Sequence, residues 1–74
     1  MRGSITDTFP RAVLLRRGTE MTAHFNDGSQ LTMRGVFVAR SRDGDTIHLR
    51  HVNSGHDLTM PVTEFVEKFE PRSL

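Results

Sequence analysis

Residues 21–38, Met-Thr-Ala-His-Phe-Asn-Asp-Gly-Ser-Gln-Leu-Thr-Met-Arg-Gly-Val-Phe-Val, decide the fold of this chain. Asp27-Gly28 stands between two runs in which apolar and polar residues alternate, an arrangement typical of a β-hairpin. Gly28 accepts the positive φ that a tight primed turn requires. We expect the first strand of this hairpin to direct three apolar side chains toward the core: Met21, Ala23 and Phe25.

Further turn signals divide the rest of the chain into short alternating runs. After Gly35 the apolar residues run consecutively, which indicates a bulge or sharp bend in a long strand. The elements predicted next are a turn at 43–45, a strand over 46–52, a turn at 53–57, a strand over 58–62 and a helical turn over 63–69. The sequence therefore predicts an all-β domain, a small five-stranded barrel of the SH3-like or Sm-like kind.

Residues 5–18 are compatible with a helix or with a strand. Thr8 can cap a helix, Pro10 suits its first turn, and Gly18 suits the position just past its end. The apolar run 12–15 is short and contains a β-branched valine, so it can instead form an opening strand. We predict a short N-terminal helix, because its start and stop signals agree.

The length and composition limit the class of protein. We assign one domain to residues 1–74 and expect residues 1–6 to be disordered or to derive from cloning. The chain contains no cysteine, which excludes a disulfide framework and favours a cytoplasmic location. Because no apolar run approaches the roughly 20 residues that span a bilayer, and the N-terminus lacks an apolar signal segment, we expect no membrane association.

Arginine dominates the basic residues. Nine of the ten Lys and Arg residues are arginine, although the net charge is only +1. A mixed solvated surface is the plain interpretation of this pattern. The sharper hypothesis is a binding face, because guanidinium groups suit bidentate contacts with phosphates and carboxylates. Its candidate residues come from the two central strands and the turn between them: Arg34, Arg40, Arg42, Arg50, His48 and Phe37.

The aromatic content limits the mode of binding. The chain has no Trp or Tyr, and most of its five Phe residues are expected in the core. Phe37 is the exception, because the change of phase at Gly35 could expose it. Proteins that bind single strands normally present aromatic platforms, so this composition counts against recognition by base stacking.

No set of titratable residues has the pattern of a catalytic or metal site. His48 and His51 differ by three positions in a strand and therefore point to opposite faces. Asp43 and Asp45 flank a turn glycine, where Asp commonly bonds its own backbone. The glycines form no phosphate-binding loop, and no serine stands in a nucleophile elbow. We predict no catalytic residue, no metal and no cofactor, and therefore no enzymatic activity.

Two resemblances suggest a biological setting. The first resemblance rests on Arg16-Arg17, Asp27-Gly28, Leu31, Gly35 and Ile47-His48-Leu49. In these residues the chain resembles, in outline over 7–50, Sm-like proteins of the bacterial RNA-chaperone kind, which implies an RNA-binding small barrel. The glycine of that family follows its leucine more closely than Gly35 follows Leu31. The segment Met60-Pro-Val-Thr-Glu-Phe65 is similar to the ends of small uncharacterised phage and prophage proteins, which implies a non-catalytic binder of host or phage factors.

We therefore expect a non-catalytic binding module whose ligand is nucleic acid; the alternative is a protein-binding accessory or regulatory factor acting on a host or phage protein. Pro61 removes a hydrogen-bond donor from the last predicted strand, which argues against the subunit ring of the Sm-like family. We expect a monomer or a homodimer. In the monomer, strands 46–52 and 58–62 pair with each other; in the dimer, strand 46–52 pairs with its own copy.

Overall fold

The computed structural model describes residues 8–72, which are mostly β with one short helix. The expectation for residues 1–6 lies outside these described residues. In chain order the elements are β1 (Arg11–Leu15), β2 (Met21–His24), β3 (Gln30–Met33), β4 (Val36–Asp43), β5 (Thr46–His51), β6 (Asp57–Pro61), α1 (Val62–Lys68) and β7 (Phe69–Pro71).

The strands form two antiparallel sheets. Five strands make one sheet in the order β6-β5-β4-β1-β7, and β2 pairs with β3 in a separate hairpin. The predicted all-β class is confirmed. Within residues 8–72 the sheets stay open and do not close into a barrel.

The prediction of an N-terminal helix is wrong, because residues 11–15 form strand β1. This strand lies between β4 and β7, so both of its edges are hydrogen-bonded. Val13 and Leu15 are buried while the intervening Leu14 is half-buried, which is the period of two expected of a strand. Pairing with two distant strands overrides the local capping signals.

The central hairpin is confirmed, with a different turn. Phe25 N–H donates to Ser29 O and Gly28 N–H donates to Phe25 O, both at 3.0 Å, which leaves a three-residue loop over 26–28. Gly28 has φ 88°, and no other residue type among those described has positive φ, so a primed turn with two left-handed residues is absent. The hydroxyl and backbone N–H of Ser29 both donate to Asp27 Oδ1, and these bonds lower the pKa of Asp27.

The expected bend beside Gly35 is present, and a bulge follows it. Gly35 has φ 82° and separates β3 from β4, which turns the chain from the hairpin into the five-stranded sheet. Further along, the register between β4 and β5 shifts between Ala39 and Ser41. This bulge changes the direction of every later side chain in β4.

The core lies on one face of the five-stranded sheet, under α1. Its buried apolar residues are Val13, Leu15, Met33, Phe37, Ala39, Ile47, Leu49, Met60, Phe65 and Phe69. Two expectations about phenylalanine are corrected here. Phe37, expected to be exposed, is 0% exposed and packs edge to face on Phe69 with ring centroids 5.0 Å apart. Phe25, expected in the core, is 42% exposed at the end of the hairpin.

The C-terminal helical turn is confirmed as α1. It supplies the fully buried Phe65, whose ring stacks on Phe69 with centroids 5.3 Å apart. The chain then continues into β7, a strand that the sequence did not predict. Because β7 pairs with β1, the two ends of the described chain lie side by side in one sheet.

The edge strands of the large sheet are β6 and β7, and β5 is internal. Strands 46–52 and 58–62 were expected to pair with each other in a monomer, and β5 and β6 do so. The alternative dimer through 46–52 would require β6 to leave β5, since both edges of β5 are occupied. Pro61 lies at the end of edge strand β6, opposite Thr46.

Candidate functional site

One face of the β4-β5-β6 region carries a concentration of polar side chains, which we name the arginine face. It is the side of the sheet opposite the core, because Ile47 and Leu49 of β5 point inward and the residues between them point outward. Its members are Arg40, Ser41, His48, Arg50, Asp57 and Thr59.

Asp57 lies between two guanidinium groups on this face. Arg50 donates from Nε to Asp57 Oδ1 at 2.8 Å and from its terminal Nη2 to Oδ2 at 3.2 Å. A terminal nitrogen of Arg40 lies 3.7 Å from the same Oδ1. The three side chains come from three adjacent strands and remain about half exposed. The sheet therefore holds one anionic group between two cationic ones at its surface.

The electrostatics of this triad follow from those bonds. Hydrogen bonds from Arg50 hold the pKa of the Asp57 carboxyl below its usual value, and the charges of Arg50 and Arg40 act in the same direction. The bond to Asp57 raises the pKa of Arg50 in turn. Both shifts favour the charged forms of Asp57 and Arg50. Together with the guanidinium of Arg40, the triad has a net charge of one positive unit.

A shallow depression adjoins the triad. Its volume is about 650 Å³, and its polar lining includes Ser41, His48 and Thr59 along with Arg40 and Asp57. Ser41 and Thr59 are the register partners of His48 on either side, so these three side chains form a row across the sheet. Hydroxyl and imidazole groups can donate or accept hydrogen bonds, and this row therefore complements the guanidinium groups.

Two of the predicted arginines lie elsewhere. Arg34 stands between β3 and β4 and forms an ion pair with Glu20. Arg42 pairs in register with Ile47, whose side chain enters the core, so alternation places Arg42 on the opposite face. There its Nε donates to Gly44 O at 2.6 Å within the β4–β5 turn. The structure thus brings together Arg40, Arg50 and His48, and separates Arg34 and Arg42 from them.

Phe37 is removed from the candidate site, because it is fully buried on the core face. The residues that the sequence reasoning missed are Ser41, Asp57 and Thr59. Alternation with Leu58 would have placed Asp57 and Thr59 on an outward face. Their position beside Arg50 and His48 depends on the register of β5 and β6, which the sequence does not contain.

A second polar cluster lies inside the protein at His51, which is 4% exposed. His51 Nε2 lies 2.9 Å from Arg34 O, and a carbonyl oxygen only accepts, so the ring hydrogen is on Nε2. His51 Nδ1 lies 2.7 Å from Ser54 Oγ, which also accepts from His56 N–H at 3.2 Å. In the neutral ring Nδ1 carries no hydrogen, so the hydroxyl of Ser54 donates to it. The notable feature of this histidine is that it is buried, since the sequence indicated only that it points to the face opposite His48.

Residues 8–72 contain no group of three or more His, Asp or Glu side chains placed to hold a metal ion. None of the helices in this part of the chain is long and apolar enough to cross a membrane.

No family model matches the chain, and no curated protein or solved structure is significantly similar to it. The functional argument therefore depends on the geometry of the arginine face.

Proposed function

We propose that this chain is a non-catalytic nucleic-acid-binding module whose arginine face holds phosphate groups. The observation that carries the proposal is the shared contact of Arg40 and Arg50 with one carboxylate oxygen, Asp57 Oδ1. A phosphate oxygen is the same kind of acceptor, and a guanidinium group has five N–H donors. Arg50 uses two of these donors on Asp57, so donors remain for an incoming phosphate.

The surroundings of the triad support contacts to the nucleic-acid backbone over contacts to bases. Ser41 and Thr59 add hydroxyl groups beside Arg40, and hydroxyls are common phosphate ligands. The arginine face has no Phe, Tyr or Trp ring on which a base could stack. The expected binding is therefore independent of sequence and sensitive to salt.

The strand order supports a finer fold assignment, an open relative of the SH3-like or Sm-like barrel. β4 pairs with β1 near its start and with β5 along its length, so one long strand joins two parts of the sheet. A short helix precedes the final strand, which returns to β1. The OB-fold, another small five-stranded barrel, binds oligonucleotides on a face of its strands.

Fluorescence anisotropy with labelled single- and double-stranded oligonucleotides tests the proposal. Two phosphate contacts predict a slope of log affinity against log salt of about −1.4 for single strands and about −1.8 for duplex. A hydrogen bond to a charged group is worth about 1.5–3 kcal/mol, so Arg50→Gln should weaken binding by about tenfold or more. Arg34→Gln is the matched control, because Arg34 is exposed and lies away from the arginine face.

A second pair of variants separates local from overall charge. Asp57→Asn removes the competing carboxylate and should tighten binding. Glu20→Gln changes the net charge by the same amount and removes the partner of Arg34, but it should leave the affinity nearly unchanged. Equal gains from both variants, or equal losses from Arg50→Gln and Arg34→Gln, would refute a site at the arginine face.

The second candidate function is binding of a protein partner, which two exposed apolar residues favour. Phe25 contacts His56 edge to face with ring centroids 5.6 Å apart, and Val52 is exposed in the same loop as His56. This function predicts no retention of oligonucleotides at low salt. It also predicts that Phe25→Ser abolishes capture of a specific partner that Arg50→Gln still captures.

A further inference from the structure

The two edges of the five-stranded sheet differ in their hydrogen-bonding capacity. At the β7 edge, Arg16 N–H donates to Lys68 O and Arg72 N–H donates to Ala12 O. These two bonds flank the pairs of residue 69 with Leu15 and of residue 71 with Val13, so residues 69 and 71 direct their own N–H and C=O groups away from β1. The N–H of residue 69 donates to Phe65 O at the end of α1, and residue 71 is a proline. The β7 edge therefore offers no N–H to an incoming strand within residues 69–71.

The β6 edge is open by comparison. His51 N–H donates to His56 O and Val62 N–H donates to Asp45 O, and these bonds fix the alternation along β6. The peptide groups at positions 57, 59 and 61 therefore point away from β5. Position 61 is Pro61, whose missing N–H removes no bond from the sheet. Two N–H donors and three carbonyl acceptors remain directed outward.

This pattern is complementary to itself in one antiparallel register. When Thr59 faces Thr59 of a second copy, each donates its N–H to the carbonyl oxygen of the other. In the same register Asp57 N–H faces the carbonyl oxygen of Pro61 of the second copy, and the reciprocal pair forms across the axis. All four outward donors of the two strands then have acceptors, and only the two Asp57 carbonyl oxygens, each of which faces a proline of the other copy, have no donor.

The side chains favour this register over its neighbour. With Thr59 on the two-fold axis, the Asp57 carboxylates lie at opposite ends of the paired strands, each beside Arg50 and Arg40 of its own copy. In the register shifted by two residues, Asp57 lies opposite Thr59 of the second copy. The two Asp57 carboxylates are then at diagonal positions of the paired strands, about 7–8 Å apart. On the core face the half-buried Leu58 lies opposite Met60 of the second copy, which covers apolar surface at the edge.

We propose that two copies of this chain pair through β6, in the register with Thr59 on the two-fold axis, and form one continuous ten-stranded sheet. The two arginine faces then lie on the same side of that sheet. The proposal uses only backbone donors and edge residues, so it holds whether or not the arginine face binds nucleic acid.

Disulfide trapping tests the register directly, because the chain has no cysteine of its own. Residues directly opposed in a hydrogen-bonded antiparallel pair have Cα atoms about 5.5 Å apart, within the range of a disulfide. Thr59→Cys should form a covalent dimer about tenfold faster than Thr22→Cys, which places cysteine at an exposed strand position in the separate hairpin. Equal rates of cross-linking overturn the proposal.

Sedimentation equilibrium tests the association without a covalent bond. The unmodified chain should change from one-chain to two-chain mass as its concentration rises toward the millimolar range. Thr59→Lys places two like charges against each other on the axis and should remain a monomer, whereas Thr22→Lys should still dimerise. Circular dichroism identifies any variant that fails to fold. A one-chain mass for the unmodified protein throughout, or a dimer that Thr59→Lys leaves intact, overturns the proposal.

Discussion

The ring of His51 joins two separate parts of the chain, because its Nε2 lies 2.9 Å from Arg34 O while its Nδ1 bonds Ser54 Oγ. Arg34 begins the bend into β4, and Ser54 belongs to the β5–β6 loop. The ring also packs on Phe37 with centroids 4.7 Å apart. The buried side chain of His51 therefore connects the bend between β3 and β4 to the β5–β6 loop.

His51→Ala should lower the free energy of unfolding by about 2–4 kcal/mol, because it opens a cavity and leaves Arg34 O without its donor. Ser54→Ala removes the hydrogen bonds of Ser54 Oγ with His51 Nδ1 and with His56 N–H, and should cost about 1–3 kcal/mol. Urea denaturation followed by circular dichroism measures both. A His51→Ala variant as stable as the unmodified protein would contradict the joining role.

Phe37 and Phe25 should respond in opposite ways to truncation. Phe37→Ala removes a fully buried ring and should cost about 3–5 kcal/mol, which leaves a domain of this size largely unfolded. Phe25→Ala removes a ring that is 42% exposed and should retain most of the stability. Thermal unfolding of the pair checks this order, and the reverse order would place Phe25 in the core.

Gly35 should tolerate asparagine better than alanine. A Cβ at this position meets no atom within 4 Å, so the cost of substitution is the positive φ alone. Left-handed backbone costs an ordinary residue about 1–2 kcal/mol. Asn adopts it more readily, so Gly35→Asn should unfold at a higher temperature than Gly35→Ala. Equal melting temperatures would show that the bend relaxes when the side chain is added.

The Asp57–Arg50 pair should make stability depend on pH at the acidic end. The pKa of Asp57 is lowered in the folded chain, so the contribution is complete above the unfolded pKa and is lost as the pH falls through the folded value. Carboxyl NMR titration should show the Asp57 midpoint rising in Arg50→Gln. Asp27 is an internal control, because Ser29 lowers its pKa and its midpoint should not move. An unchanged Asp57 midpoint would contradict the assigned cause.

The turns were predictable from the sequence because their chemistry is local. Gly28 and Gly44 both take the positive φ that their turns require, and the β4–β5 turn falls at 44–45, within the predicted turn at 43–45. Strand β1 was not predictable, because its capping signals are local and its pairing partners lie more than twenty residues away. Competition between local propensity and distant pairing cannot be weighed from one sequence.

The arginine face was predictable only in part for a related reason. Simple alternation along β4 would give Arg40 and Arg42 the same direction. The bulge between Ala39 and Ser41 breaks that alternation, and the contact of Arg40 with Asp57 lies on the face opposite Arg42. Register and bulge position both depend on how strands meet in space. The arginine content therefore indicated that the surface is rich in guanidinium groups, whereas the structure was needed to show which arginines belong to the arginine face.

The closed edge at β7 limits how far this sheet can grow. A filament of stacked sheets needs two receptive edges on every molecule, one to join the preceding unit and one to receive the next. Here residue 69 has already given its N–H to the helix end, and Pro71 has none to give. Association through the large sheet in the proposed register consequently stops at a pair. Residues 69 and 71 thus protect a domain whose β6 edge has three exposed strand positions against amyloid-like extension.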